Sequence, residues 1–263
     1  MTSWDPGQYL KFADERTRPS RDLCARIPLP SPGRVLDLGC GPGNSTQVLR
    51  ERWPEAEIAG LDSSPEMIAK ARALFPGGTW IVADAAAYQP LGELDVVFSN
   101  AVLHWVPDHP RFLPRLLGWL APGGCLAVQM PAGDGNRLRG VLNQVARRPR
   151  WQQALAGAGE ALTFHPAPFY YDLLAPLTAR LDLWETVYYH PMASHQALLE
   201  WYEGTGMRPY LERLPDEAAR AAFRSELLEA FRSEFPLAVD GKVAMPFRRL
   251  FFVAWKAGNG LQG

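Results

Sequence analysis

Only three cysteines occur in 263 residues, Cys24, Cys40 and Cys125, and they lie far apart with no C-x-x-C spacing and no paired histidines nearby. This excludes a disulfide framework and a cysteine-based metal site, and it suits a reducing compartment. An excess of one charge is missing too, since 27 Lys plus Arg stand against 28 Asp plus Glu. No global positive field exists to draw in nucleic acid irrespective of its sequence. The one basic cluster, Arg147, Arg148 and Arg150 around Pro149, is short and reads as a solvated loop. No uncharged apolar run approaches the ~20 residues of a membrane span. The opening Met-Thr-Ser-Trp-Asp-Pro lacks the basic-then-apolar order of a secretion signal. The expectation is a soluble cytoplasmic protein with a small-molecule partner, no membrane or nucleic acid, and an oligomeric state that the sequence leaves open. Internal repeats and low-complexity tracts are absent as well.

What is present is an alternation of strand and helix. Val35–Leu38, Glu57–Asp62, Thr79–Val82, Leu94–Phe98 and Cys125–Gln129 read as strands. Between them lie a helix over Met67–Leu74, with Pro65 at its first position, and an amphipathic helix over Phe112–Leu120 stopped by Pro122-Gly-Gly124. Such alternation predicts an α/β fold with a parallel sheet covered on both faces and a ligand crevice at the C-terminal strand ends. Beyond it, Asn136–Ala146 and Tyr170–Thr178 read as helices, and Leu181–Tyr189 and Arg248–Trp255 as two more strands. The excursion over about 191–245, with helices at Ser194–Tyr202 and Pro215–Phe235, cannot add a strand and predicts a helical cap.

The densest signal is Val35-Leu-Asp-Leu-Gly-Cys-Gly-Pro-Gly-Asn-Ser-Thr46, a buried strand breaking into a glycine turn that opens a helix. Gly39, Gly41 and Gly43 let the backbone bend and a ligand approach, and Asn44, Ser45 and Thr46 are candidate helix caps. A dinucleotide loop of the G-x-G-x-x-G type would need a third glycine where Asn44 stands. Asp37 would also repel a pyrophosphate, whereas it can accept hydrogen bonds from a cationic amino group. The run Asp-Leu-Gly-Cys-Gly-Pro-Gly-Asn resembles motif I of class I methyltransferases, a Rossmann-like fold, which implies S-adenosylmethionine as cofactor.

Acidic residues end three successive strands, Asp37, Asp62 and Asp84, and therefore share one rim of the sheet. Asp62, followed by Ser63, suits the two ribose hydroxyls of either NAD or S-adenosylmethionine. Asp84 can accept from an adenine amino group with the Ala85 N–H facing a ring nitrogen, a division of labour typical of methyltransferases. Asn100 ends the fourth strand under the expected methyl position, and Trp105 could stack on adenine or ribose or belong to the core. His104 is a weak candidate for a general base.

Four further segments resemble the trans-aconitate 2-methyltransferase family: Trp4–Pro19, Val187–Gln196, Gly204–Pro209 and Pro246–Val253, so that the similarity runs from about residue 3 to 256. The length and the element pattern predict a single domain over 1–263 with a seven-stranded, mostly parallel sheet. Lid helices occupy 1–30, the core 34–190 and 246–256, and the helical cap about 191–245. The resemblance implies methyl transfer to one carboxylate of a small unsaturated tricarboxylate. Such an anion must be desolvated, which costs several kcal/mol per ion unless fixed cations replace the water. The family-like segments supply Arg16, Arg18, His190, His195, Arg208, Arg248 and Arg249, with the hydroxyls of Tyr188 and Tyr189. Only one of the two tyrosines can line a pocket if they sit on a strand, and Arg249 is preferred over Arg248 because it is nearer the apolar part of the last strand. Tyr9 and Phe12 are candidates for a lid over the methyl donor. Because a carboxylate is already ionised at neutral pH, no catalytic triad and no metal are expected. Alternative acceptors, namely another carboxylic acid, a phenol or an amine, stay open at this point, as do a dehydrogenase and a protein that binds S-adenosylmethionine without turnover.

Overall fold

The computed structural model describes residues 13–133, 135–204 and 206–258. Helix α1 (Ala13–Arg26) precedes strand β1 (Arg34–Leu38). Then come α2 (Asn44–Arg52), β2 (Glu57–Asp62), α3 (Pro65–Leu74), β3 (Thr79–Val82), β4 (Leu94–Asn100), α4 (His109–Gly118) and β5 (Leu120–Pro131). The chain continues through α5 (Arg137–Ala146), α6 (Ala167–Leu174), β6 (Arg180–Met192), α7 (His195–Glu203), α8 (Arg208–Leu211), α9 (Glu217–Glu234) and β7 (Val243–Trp255). The strands form one sheet in the order β3-β2-β1-β4-β5-β7-β6. Its first five members are parallel, and β7 joins β5 antiparallel, pairing Cys125 with Trp255 at one end and Pro131 with Arg249 at the other. The predicted seven-stranded, mostly parallel α/β sheet is thus observed.

The strands assemble this way because β1 and β4 are apolar on both faces, which only a sheet covered on both sides can bury. Leu36, Leu38, Val97, Leu126, Val128 and Phe252 belong to one core, closed over by Phe112, Leu113, Leu116 and Leu117 of α4. The reversal of strand order between β2-β1 and β4 places the crevice beyond the C-terminal ends of these strands. Several boundaries differ from expectation, and β6 and β7 both reach into the excursion, β6 ending at Met192 and β7 starting at Val243. Helix α4 begins earlier, at His109, and β5 already starts at Leu120, running through the Pro122-Gly-Gly124 segment expected to separate them. Leu120 pairs with Leu94, and a shift of register between Leu94 and Val96 absorbs the extra residues.

The chain forms two compact units, one holding Arg16–Ala132, Thr163–Thr186 and the segment from Arg249 on, the other Gly133–Leu162 and Val187–Arg248. The second unit has its own core, in which Phe223, Leu227 and Phe231 of α9 meet Leu138 and Leu142 of α5 and Leu198 and Trp201 of α7. It therefore recruits α5 as well as the helices of the excursion. No helix among the described residues is long and apolar enough to cross a membrane.

Candidate active site

The glycine loop leaves β1 and is fastened to the end of β2. Gly39 N–H and Cys40 N–H both donate to the Leu61 carbonyl, at 2.7 and 2.9 Å, and Gly43 N–H donates to Cys40 at 3.0 Å. Gly41 N–H donates to Asp62 Oδ2 at 2.9 Å. A pyrophosphate cradle needs such amides directed at the ligand, so this loop is built for a different group. Gly39 (φ 74°) abuts the Val102 side chain, whereas Gly41 (φ 55°) has nothing near the place a Cβ would take. Gly41 is therefore the position at which this loop leaves room for a ligand.

The expected capping of α2 is corrected by the structure. Its N-cap is Gly43 and carries no side-chain cap. Ser45 Oγ and Thr46 Oγ1 instead donate to Asp37 Oδ2, at 2.7 and 2.6 Å. Asp37 is fully buried, and its Oδ1 has no hydrogen-bond partner. Burial pushes its carboxyl up to about 6 against the two hydroxyl donors, and the neighbouring Asp62 adds to the rise. A buried carboxylate with one unsatisfied oxygen beside a loop whose amides are already engaged suits an amino-acid ammonium group. The residues present thus fit S-adenosylmethionine.

The other rim acids are placed by backbone turns. Asp62 Oδ1 accepts from Ser64 N–H at 2.8 Å while Oδ2 holds Gly41, which leaves each oxygen capacity for a second donor such as a ribose hydroxyl. Ser63 beside it is exposed. Asp84, beyond β3, is exposed and orders its own turn by accepting from Ala86 N–H at 2.8 Å, while Ala85 is half-buried.

At the ends of β4 and β5 lies a polar chain that joins the candidates Asn100 and Arg249 through Gln129, which the sequence did not single out. Gln129, fully buried, pairs with Asn100 across the two strands and donates its Nε2 to Asn100 Oδ1. Its Oε1 accepts from Arg249 Nη1 at 3.1 Å, and Arg249 is only 6 % exposed. The preference for Arg249 over the half-buried Arg248 agrees with this burial. The available signal was the single amide in the otherwise apolar run Cys125-Leu-Ala-Val-Gln-Met130.

Past Asn100 the chain turns through Ala101 (φ 59°) into a short 3-10 helix over Leu103–Trp105. His109 pins that turn, because its Nε2 lies 2.9 Å from the Leu103 carbonyl and its Nδ1 2.9 Å from Tyr170 Oη. A carbonyl only accepts, so Nε2 carries the proton and the tyrosine hydroxyl donates to Nδ1. His104 is buried, is stacked on Phe164 at 5.7 Å, and has an Nδ1 without a hydrogen-bond partner. Burial, then Arg249, then His109 push its imidazole down to about 3. An imidazole that weakly basic stays neutral and is a poor proton acceptor, which argues against the general-base reading. Trp105 is 42 % exposed, as a stacking residue would be.

The second unit carries the remaining candidates. On β6, Tyr188 is buried and Tyr189 is 66 % exposed, so only the former is enclosed. His190 is buried with its ring parallel to that of Tyr188 at 6.3 Å. His195 Nε2 lies 2.7 Å from the Phe235 carbonyl and so closes the end of α9, a structural task. Arg208 pairs with Glu212 at 2.8 Å on the short helix α8. In the first unit, Arg18 is exposed on α1. Arg16 lies on the same helix, its side chain outside the described residues, as are Tyr9 and Phe12 altogether.

Comparison with known proteins places the chain among methyltransferases. A family model described as a methyltransferase domain matches residues 9–175. A trans-aconitate 2-methyltransferase of Methylobacterium nodulans is 48 % identical over 97 % of this chain and 98 % of its own length. One of Rhodopseudomonas palustris is 46 % identical over 97 % of this chain and 100 % of its own. Among solved structures, the YcgJ protein of Bacillus subtilis shares the fold with a TM-score of 0.62 at 13 % identity, covering 91 % of this chain and 99 % of that one. A phosphoethanolamine N-methyltransferase of Haemonchus contortus, solved with S-adenosylhomocysteine, superposes with a TM-score of 0.57 at 17 % identity, covering 90 % of this chain and 52 % of that one. With near-complete coverage by the curated relatives and a glycine loop suited to the methyl donor, the chain belongs to the trans-aconitate 2-methyltransferase family of class I, S-adenosylmethionine-dependent methyltransferases.

Proposed function

We infer that this protein transfers a methyl group from S-adenosylmethionine to one carboxylate of trans-aconitate, giving a monomethyl ester. The observation that carries the reading is the buried Arg249 guanidinium, tied through Gln129 to Asn100 at the rim where the strands end. A buried cation at that place suits an anionic acceptor. The curated relatives bear the name of this activity along their whole length, which supports the choice of acid. The near-neutral composition supports a small-molecule partner rather than nucleic acid, and three free buried cysteines support residence in the cytoplasm.

When bound, the cofactor supplies an electrophilic sulfonium methyl. Asp37 Oδ1 would accept from its ammonium group, Asp62 from its ribose hydroxyls with Ser63 adjoining, and Asp84 with the Ala85 amide would meet the adenine. Trp105 would cover an aromatic or sugar face. No residue has to remove a proton from the acceptor, whose carboxylates are ionised at neutral pH. The task left to the chain is to replace the water around those carboxylates and to hold one of them in line. Charge-assisted hydrogen bonds such as those of Arg249 contribute about 1.5 to 3 kcal/mol each. Alignment of two bound reactants can supply ~7 to 11 kcal/mol of the barrier. Arg16, Arg18, Tyr188, His190 and Arg208 remain proposed contributors to acid recognition, while the exposure of Tyr189 and the helix-closing role of His195 favour them less.

Mass analysis of products, after incubation with isotopically labelled cofactor and a panel of di- and tricarboxylates, tests this directly. A labelled monomethyl ester of trans-aconitate is expected. Turnover of a neutral acceptor with no ester from any aconitate isomer would overturn the reading.

A further inference from the structure

We propose that Gln129 is a positioning residue for the acceptor, fixing which hydrogen-bonding face Asn100 and Arg249 offer to it. This assignment rests on the reading of the acceptor as a polycarboxylate. The chemistry of the three groups allows one arrangement. A guanidinium only donates, so the group facing Arg249 Nη1 at 3.1 Å must be the Gln129 oxygen. The Gln129 amino group is then turned to Asn100, which must meet it with Oδ1. Asn100 Nδ2 is therefore directed away from Gln129, and this residue stands half-buried at the C-terminal end of β4. Three strands hold the arrangement in register, with Asn100 opposite Gln129 and Pro131 opposite Arg249. Because Gln129 is fully buried, water does not compete for either of its hydrogen bonds.

The result is a neutral donor and a cation of fixed direction on either side of one buried amide. Methyl transfer to a carboxylate turns a full negative charge into a neutral ester, so a cation on the attacking oxygens would stabilise the reactant more than the transition state. A carboxylate that is not methylated keeps its charge throughout and is held by a cation without that penalty. The Asn100 amide accordingly meets the attacking carboxylate, and Arg249 meets another. Gln129 separates the two roles, with its own carboxamide touching neither reactant.

Two variants test the assignment. Gln129→Glu keeps size and still accepts from Arg249, but a carboxylate has no N–H for Asn100, which must rotate its NH2 inward and present oxygen to the acceptor. Gln129→Met keeps volume and removes the amide from both neighbours. Gln129→Glu is expected to lower kcat by about 100-fold, as a misdirected reactant does, and also to raise KM, because its carboxylate pairs with Arg249 and weakens its hold on the acceptor. Gln129→Met is expected to act mainly by raising KM. Cofactor affinity, measured by calorimetry, is expected to stay near the wild-type value in both, while Tm falls in Gln129→Met, which takes a buried hydrogen-bond partner from Asn100 and from Arg249. Unchanged kcat and KM would overturn the proposal, and so would parallel loss of cofactor affinity or folding in both variants, which would give Gln129 a purely structural task. A wild-type enzyme that esterifies no polycarboxylate would overturn the underlying reading of function as well. One that esterifies trans-aconitate while the variants match it removes the Gln129 assignment alone.

Discussion

Gly39 and Gly41 sit two residues apart in one loop, both at positive φ, and do different things. A methyl on Gly39 would collide with Val102, whereas one on Gly41 would meet nothing. Gly39→Ala is expected to destabilise the fold by about 3 kcal/mol, the sum of left-handed strain and overpacking. Gly41→Ala should destabilise by only about 1 kcal/mol yet weaken cofactor binding, because the methyl takes the space left open. Urea unfolding and calorimetric titration separate the two effects. Asp37 makes a second residue-scale case. Asparagine in its place keeps an oxygen for Ser45 and Thr46 and removes a buried charge, so Asp37→Asn is expected to leave Tm unchanged or higher. It should weaken the cofactor about tenfold, some 1.4 kcal/mol. Since the Asp37 carboxyl is pushed up to about 6, wild-type affinity should fall below that pH as the group protonates. The same titration of Asp37→Asn should lack that fall.

At the scale of elements, α9 shows how a helix in this chain is specified. Asp216 accepts from Ala219 N–H at 2.8 Å to begin it. Phe223, Leu227 and Phe231 then recur every fourth residue and are fully buried. Phe231→Ala is expected to cost about 3 to 5 kcal/mol, by lost transfer energy and the cavity left behind. Denaturant unfolding followed by the fluorescence of Trp151 and Trp201, both in the core of that unit, checks it. Elements with such periodicity, and strands bounded by turn residues such as β2 and β3, were legible from the sequence to within a residue or two. The joint between α4 and β5 was not, because a Pro-Gly-Gly segment ends an isolated strand, whereas here β4 supplies partners across it. The helix drawn from Tyr170–Thr178 likewise starts sooner, at Ala167, and passes into a 3-10 turn.

For the whole molecule, stability against pH follows from groups whose folded and unfolded titrations differ. His104 is held at about 3 against an ordinary 6.5, and burial lowers His109 too. Below pH 6.5 the unfolded chain takes protons that the folded one refuses, so their contribution is full above that pH and is lost as pH falls toward 3. Asp37 acts in the opposite sense between its ordinary 3.8 and about 6, but over a narrower window. Tm is therefore expected to drop from pH 7 to pH 5, and the drop to be smaller in His104→Gln, as scanning calorimetry would record. The same division separates what was legible from what was not. The chain's linear pattern determined the alternating α/β order, the glycine loop and the acids at or just past the C-terminal ends of β1, β2 and β3, because strand period and turn chemistry are local properties. Tertiary structure alone decided that Asp37 lies under its loop bound to Ser45 and Thr46, that the loop amides are used inward, and that His104 is neutral. It also decided that Gln129 joins Asn100 to Arg249, residues separated by much of the chain. Burial and the direction of a hydrogen bond depend on which neighbours the fold brings to a residue, and those neighbours are distant in sequence.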